Sequence, residues 1–191
     1  MYPARTAVAL TAIFAAVLLT ACATPAPAPL QAVVELRATQ QPQPDPQAPV
    51  TGVLHFKQWQ NEVVVSGQVE HLPQRPGMNN QGNALHIHAA GDCSAPDPAK
   101  ASGIFNPTHQ KHSFPGAGMV GDLPLLVPDS QGKATLNDYL SPLIKLDGPD
   151  SVIGKVVIVH RNPDDWAIQP DGGAGPAIAC GVIRAVTPEK K

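Results

Sequence analysis

Several things are scarce in this chain, and each scarcity closes off a class of function. Basic residues are few and scattered: 13 Lys and Arg stand against 15 Asp and Glu, for a formal net charge of -2. No segment gathers them, so there is nothing from which to build the basic face that a nucleic-acid groove requires, and no nucleic-acid partner is expected. Long apolar runs are missing too. The largest, from Ala7 to Leu19, has 13 residues, well short of the ~20 that a membrane-spanning helix needs. P-loops and GxSxG nucleophile elbows are absent, as is any internal repeat. Helix-favouring stretches of Leu, Glu and Lys are rare, whereas 22 Pro and 16 Gly punctuate the chain, which favours an all-β protein with many turns and long loops. At 191 residues and 43% apolar, one well-buried core is the expectation.

The N-terminus carries processing information. Arg5 followed by the short apolar run describes a signal peptide over residues 1–21. It ends in Leu19-Thr20-Ala21-Cys22, which resembles the bacterial lipobox. Cys22 would then be the lipidated new N-terminus, and an ordinary signal peptide cleaved nearby is the alternative. Ala23 after the cysteine suits outer-membrane sorting, facing the periplasm, in a Gram-negative envelope. Residues 22–30 form a Pro/Ala tether, stiff and extended, and residues 31–191 form the domain. The two remaining cysteines, Cys93 and Cys180, read as a disulfide in an exported protein, with two buried thiols as the alternative. Closing a loop of that size stabilises a fold by roughly 4 kcal/mol in the chain-entropy model.

Strand signals run along the domain. Ala32 to Ala38 reads as a first strand, Val50 to Trp59 alternates with Val50, Leu54 and Phe56 inward, and Val63, Val65, Gly67 and Val69 share one side of the next run. Those two runs look like a hairpin, with His55 turned to solvent. Ala84 to His88 is a further strand. About 65 residues rich in Gly, Pro, Asp and His then show weak periodicity, and loops of that length are usually functional. Lys155 to His160 is a β-branched run of the kind buried on both faces, and Ala177 to Val186 closes the chain as a strand. The tally approaches eight short antiparallel strands, a sandwich or barrel.

In a strand, residues two apart share a face, so His86-Ile87-His88 can present two imidazoles to one metal. The segment His86-Ile87-His88-Ala89-Ala90-Gly91-Asp92-Cys93 is followed by Phe105-Asn106-Pro107, His112, Gly121-Asp122-Leu123-Pro124, Val159-His160, Asp164-Asp165, Gly173-Ala174-Gly175 and Ala179-Cys180-Gly181-Val182-Ile183. In that order and spacing the chain resembles the Cu/Zn superoxide dismutase family from Gln31 to Val186. The resemblance implies an eight-stranded Greek-key antiparallel β-sandwich or barrel with long metal-site loops and one disulfide, Cys93 to Cys180. It places His86, His88 and His160 as the catalytic copper ligands, His112 and Asp122 as zinc ligands, and Asp164 as the carboxylate that orients a copper histidine and a zinc histidine.

The departures from that pattern matter as much. The family's bridging histidine falls on Ile104, another zinc histidine on Met119, and the arginine that guides superoxide on Ala177. Zinc is left with two ligands where a closed tetrahedral site needs four, so tight zinc is not expected, with His109 a candidate substitute for a residual second metal. Met119 is either a soft Cu(I) ligand or packing. Copper keeps three imidazoles. The implied function is a copper-dependent superoxide dismutase of the cell envelope, attenuated by the lost bridge and arginine, and the alternative is a non-enzymatic copper-binding, buffering or delivery protein. Superoxide or copper ion would be its partner, the membrane its anchor, and a homodimer is left open. His55 and His71 have no role in this scheme.

Overall fold

The computed structural model describes residues 30–74 and 82–186. The signal peptide, the lipidation cysteine Cys22 and most of the tether lie outside the described residues. Eight strands follow in chain order: β1 Gln31–Ala38, β2 Thr51–Trp59, β3 Glu62–Glu70, β4 Leu85–His88, β5 Ala134–Ser141, β6 Val156–His160, β7 Ala177–Val182 and β8 Arg184–Ala185. One short 3-10 turn, Pro98–Lys100, sits in the loop after β4.

All pairings are antiparallel, in the order β4-β6-β7-β1-β2-β3-β5, with β8 also on β1. The two layers of the anticipated sandwich are continuous through β1. Its residues Gln31 to Leu36 pair with β2, and Arg37 and Ala38 then pair with Cys180 and Ala179 of β7. Neighbours that are distant in sequence, as β1 and β7 are, give the long crossover expected of a Greek key. The sheet curls so that the inward residues of β1 to β3, among them Val34, Leu36, Leu54, Phe56, Val63 and Val65, share one core with Leu85, Ile87, Val157 and Val159. The predicted hairpin is real. Trp59 opposes Glu62 across a two-residue turn in which Gln60 takes a left-handed φ of 53°.

Strand β5 lies inside the segment that reads from sequence as loop. Only Ala134, Leu136 and Ser141 are buried along it, and the register against β3 shifts between Val65 and Gly67. The alternation therefore breaks after its second apolar residue, with Asp138 at φ 42°, and no period-2 signal survives.

Strands β4 and β6 position the site. Both are buried on both faces. Leu85 and Ile87 of β4, like Val157 and Val159 of β6, point into the core, which by alternation turns His86 and His88 outward. The register pairs Leu85 with Val159, and the His160 backbone N–H donates to the Ala84 carbonyl at 2.9 Å, which brings the end of β6 alongside the start of β4. The free edge of β4 is covered by loop segments. The Ile87 N–H donates to Gly121, the Phe105 N–H to Ile87 and the Leu123 N–H to Leu85, at 2.7–3.2 Å. Ile104 and Asp122 thereby lie beside His88 and His86.

Candidate metal centre

Three imidazoles converge over the outer face of β4 and β6. His86 Nδ1 lies 3.3 Å from His160 Nε2, and His88 Nε2 lies 3.3 Å from the same atom. The three side chains are 0%, 3% and 4% exposed for His86, His88 and His160. Each ring is held by its other nitrogen. His86 Nε2 donates to Asp164 Oδ2 at 3.0 Å, His88 Nδ1 to the Ser102 carbonyl at 2.8 Å, and His160 Nδ1 to the Gly175 carbonyl at 2.9 Å. A carboxylate or carbonyl can only accept, so the outer nitrogens carry the protons and the three inner ones present lone pairs to a common point. Burial keeps two of the rings neutral: it lowers His88 from 6.5 to about 4 and pushes His160 well below its ordinary value, assisted by the neighbouring His86. Three nitrogens spread in a plane around one metal at about 2.0 Å would stand about 3.5 Å apart. The ligand atoms of the three lie within 4.8 Å of one another, close enough to hold one copper-type ion.

The second half of the cluster is arranged differently. His112 lies between two carboxylates, Nδ1 2.8 Å from Asp122 Oδ1 and Nε2 3.0 Å from Asp164 Oδ1. The other oxygen of Asp122 accepts the backbone N–H groups of Ser113 and Met119, at 3.1 and 2.8 Å. Asp122, His112 and His86 do come within metal-binding reach of one another, but His86 is already committed to the first trio and to Asp164. Ile104 and Met119, 7% and 6% exposed, occupy the remaining positions. His109, the candidate substitute, is exposed in a turn with φ 55°, and it belongs to neither metal-competent group among the described residues. A tetrahedral zinc does not fit this set.

Asp164 joins the halves, one oxygen to His86 and one to His112. The loop that carries it is pressed onto the pair. Gly172 has φ +69°, and a Cβ there would fall 1.8 Å from Asp164 Oδ1 and 2.8 Å from His112 Nε2, so only glycine fits. Gln169 clamps the same loop to the His112 backbone, accepting from its N–H at 3.0 Å and donating to its carbonyl at 2.8 Å. Asn83, fully buried, donates to the carbonyls of His160 and Arg161 at 2.8 and 2.9 Å and so fixes the end of β6. Sequence reading missed Gln169, Asn83, Gly172 and the carbonyls of Ser102 and Gly175. A positive-φ glycine beside Asp171 was the only one with any signal, and the carbonyls had none.

A cleft of about 720 Å³ opens over the trio, with His88 and His160 among its lining residues. Asp97, Lys100, Ile104, Met119, Asp171 and Gly175 line it too. Cys93 and Cys180 form the anticipated disulfide, with Cα atoms 5.5 Å apart across 87 residues of sequence. It ties the loop bearing Asp97 and Ser102 to β7. His55 and His71 are exposed, and His71 Nδ1 meets only the Pro49 carbonyl.

A curled antiparallel barrel with buried imidazoles whose lone pairs meet at the end of two strands is a transition-metal protein. Residues 50–183 match the family model for copper/zinc superoxide dismutase (SODC), and the chain belongs to that family. It is 38% identical over 117 residues to a superoxide dismutase [Cu-Zn] of Caulobacter vibrioides, covering 56% of this chain and 67% of the relative. It is 33% identical over 140 residues to superoxide dismutase [Cu-Zn] 1 of Aquifex aeolicus, covering 70% and 79%. An extracellular superoxide dismutase [Cu-Zn] of Brugia pahangi is 31% identical over 145 residues, 70% of this chain and 69% of that one. Among solved structures, the clock protein EA4 superposes with a TM-score of 0.68 at 28% identity, over 86% of this chain and 99% of that one.

Proposed function

We propose that this chain is an exported copper protein that dismutates superoxide slowly, with His86, His88 and His160 as the ligands and Asp164 as the positioning residue. One observation carries the reading: three buried imidazoles have their outer nitrogens pinned by fixed oxygens and their inner nitrogens turned to one point. Copper bound there would supply a one-electron couple for the reaction in which two superoxide ions and two protons give one O₂ and one H₂O₂. The residues of the chain do the rest. Ser102, Gly175 and Asp164 keep the rings oriented, and the cleft admits a small anion and water. Ile104 holds no proton where the family's bridging imidazole would, so protons must come from solvent through the cleft, and turnover is slow on that account. The disulfide and the extracellular relative support export, and the lipobox sequence supports an anchor at Cys22 in the outer membrane, facing the periplasm.

A second reading, a copper-binding, buffering or delivery protein, is favoured by the character of the cleft, which brings carboxylates and no guiding arginine to the trio. The two readings part on one experiment, metal content and superoxide turnover of the protein loaded with copper alone. One copper per chain with turnover well below that of a two-metal relative in the same assay is the expected result. One copper with no turnover leaves the delivery reading, and turnover equal to the relative's removes the attenuation argument.

A further inference from the structure

The position that holds a guiding arginine in the family is Ala177 here, and its environment shows more than a missing charge. Ala177 is fully buried in a small cluster with Val156, Ile158 and Cys180, and Ala99 of the 3-10 turn packs against it. The turn thus closes over the space that a long cationic side chain would use. Its N-cap is Asp97, whose Oδ1 accepts the backbone N–H groups of Ala99 and Ala177, both at 3.3 Å. A carboxylate is therefore fixed to the backbone of the residue at which the family carries a cation. Across the cleft stands Asp171, an exposed residue whose Oδ1 accepts the Gly173 N–H at 3.3 Å. Lys100 is the one cationic side chain among the described lining residues. It is 85% exposed and only grazes Asp97, with Nζ 3.9 Å from Oδ2, so solvent screens it heavily.

From this geometry we propose that the cleft is an entry port for a copper cation, with Asp97 and Asp171 as an acidic rim that draws the ion toward His88 and His160. The proposal rests on the copper trio assigned above. An acidic, low-dielectric cleft raises the local concentration of cations and lowers that of superoxide, and such steering acts on the association rate and fades with salt. It adds a cause of slow dismutation that is separate from the absent bridging histidine, and it gives the cleft a use in acquiring or releasing metal.

The test is stopped-flow uptake of Cu(II) by the copper-free full chain, at low and at high ionic strength, for wild type, Asp171→Asn, Asp97→Asn and the double variant. Uptake by wild type should slow as salt rises. At low salt Asp171→Asn should slow it about threefold to tenfold, the double variant more, and all four should converge at high salt while still binding one copper per chain. Asp171 is the decisive position, because Asp97 also caps a turn and its removal can loosen the loop. Association of azide, a small anion, with the copper-loaded Asp171→Asn protein should become faster. Equal low-salt uptake rates for wild type and Asp171→Asn, or wild-type uptake indifferent to salt, would overturn the port. Absence of copper binding by wild type would instead overturn the trio on which it rests.

Discussion

The two halves of the buried histidine cluster face each other across Asp164, one built to receive a metal and the other already satisfied without one. On the copper side each ring gives its proton to a fixed oxygen and leaves a lone pair uncommitted. On the other side both nitrogens of His112 face carboxylates, Asp122 and Asp164, and two buried apolar residues, Ile104 and Met119, stand where the family has further histidines. A buried polar group without a partner costs more than a bonded one gains. With Ile104 and Met119 apolar, His112 and its two carboxylates pack against one another and leave no hole. The pair also has a use, since His112 holds Asp164 in place for His86.

The comparison breaks most sharply if the satisfied half can be reopened. Ile104→His with Met119→His should take the protein from no stoichiometric zinc to one zinc per chain, the new imidazoles joining His112 and Asp122. Elemental analysis after dialysis reads it, and zinc should then raise the thermal midpoint by binding the native state alone. Stoichiometric zinc in the unaltered protein would end the contrast between the halves. On the open half, His86→Ala, His88→Ala and His160→Ala should each weaken copper binding by more than about 100-fold, since loss of even an outer partner costs 10–100-fold. His55→Ala and His71→Ala should leave it unchanged in the same titration.

A smaller effect is expected where the halves meet. Gly172→Ala should displace the Asp164 carboxylate and lower copper affinity by roughly 10-fold to 100-fold with the ligands intact, as should Asp164→Asn. Affinity within twofold of wild type would show that His86 needs no brace. The least conspicuous consequence is one of pH. His88 titrates at about 4 in the fold against 6.5 otherwise, and His160 is lowered in the same sense. The unfolded chain therefore binds more protons between those values. Stability of the copper-free protein should be full above pH 6.5 and fall as pH drops toward 4. Urea midpoints across that range check it, and a flat line would mean that the rings are solvated.

How much of this was legible in the sequence depends on the kind of contact. The trio could be found because a period of two and the order of motifs are properties of side-chain identity. The hairpin announced itself by alternation and β6 by a continuous β-branched run, whereas β5 did not, its register shift hiding the pattern after Leu136. The carbonyls of Ser102 and Gly175 were invisible, since every residue has one and only the fold decides which comes near a ring. Ala177 was legible as a lost arginine but not as a buried floor under Ala99, which needs the loop's path. His109 looked like a spare ligand in the sequence and is an exposed turn residue in the fold, because five positions along a loop say little about distance in space.

Strand β1 has a directional meaning. At its start the Gln58 N–H donates to Leu30 and the Val186 N–H to Gln31, which gathers three exposed apolar side chains, Leu30, Trp59 and Val186, around the point where the N-terminal segment joins. Just past its other end, Gln41 lines the cleft. Eight residues of strand, about 26 Å of extended backbone, separate the two. On the proposed anchoring through Cys22, the strand would work as a spacer with a polarity: its apolar end would face the lipid, where a tryptophan ring sits well at the headgroup level, and the mouth of the cleft would open toward the aqueous compartment.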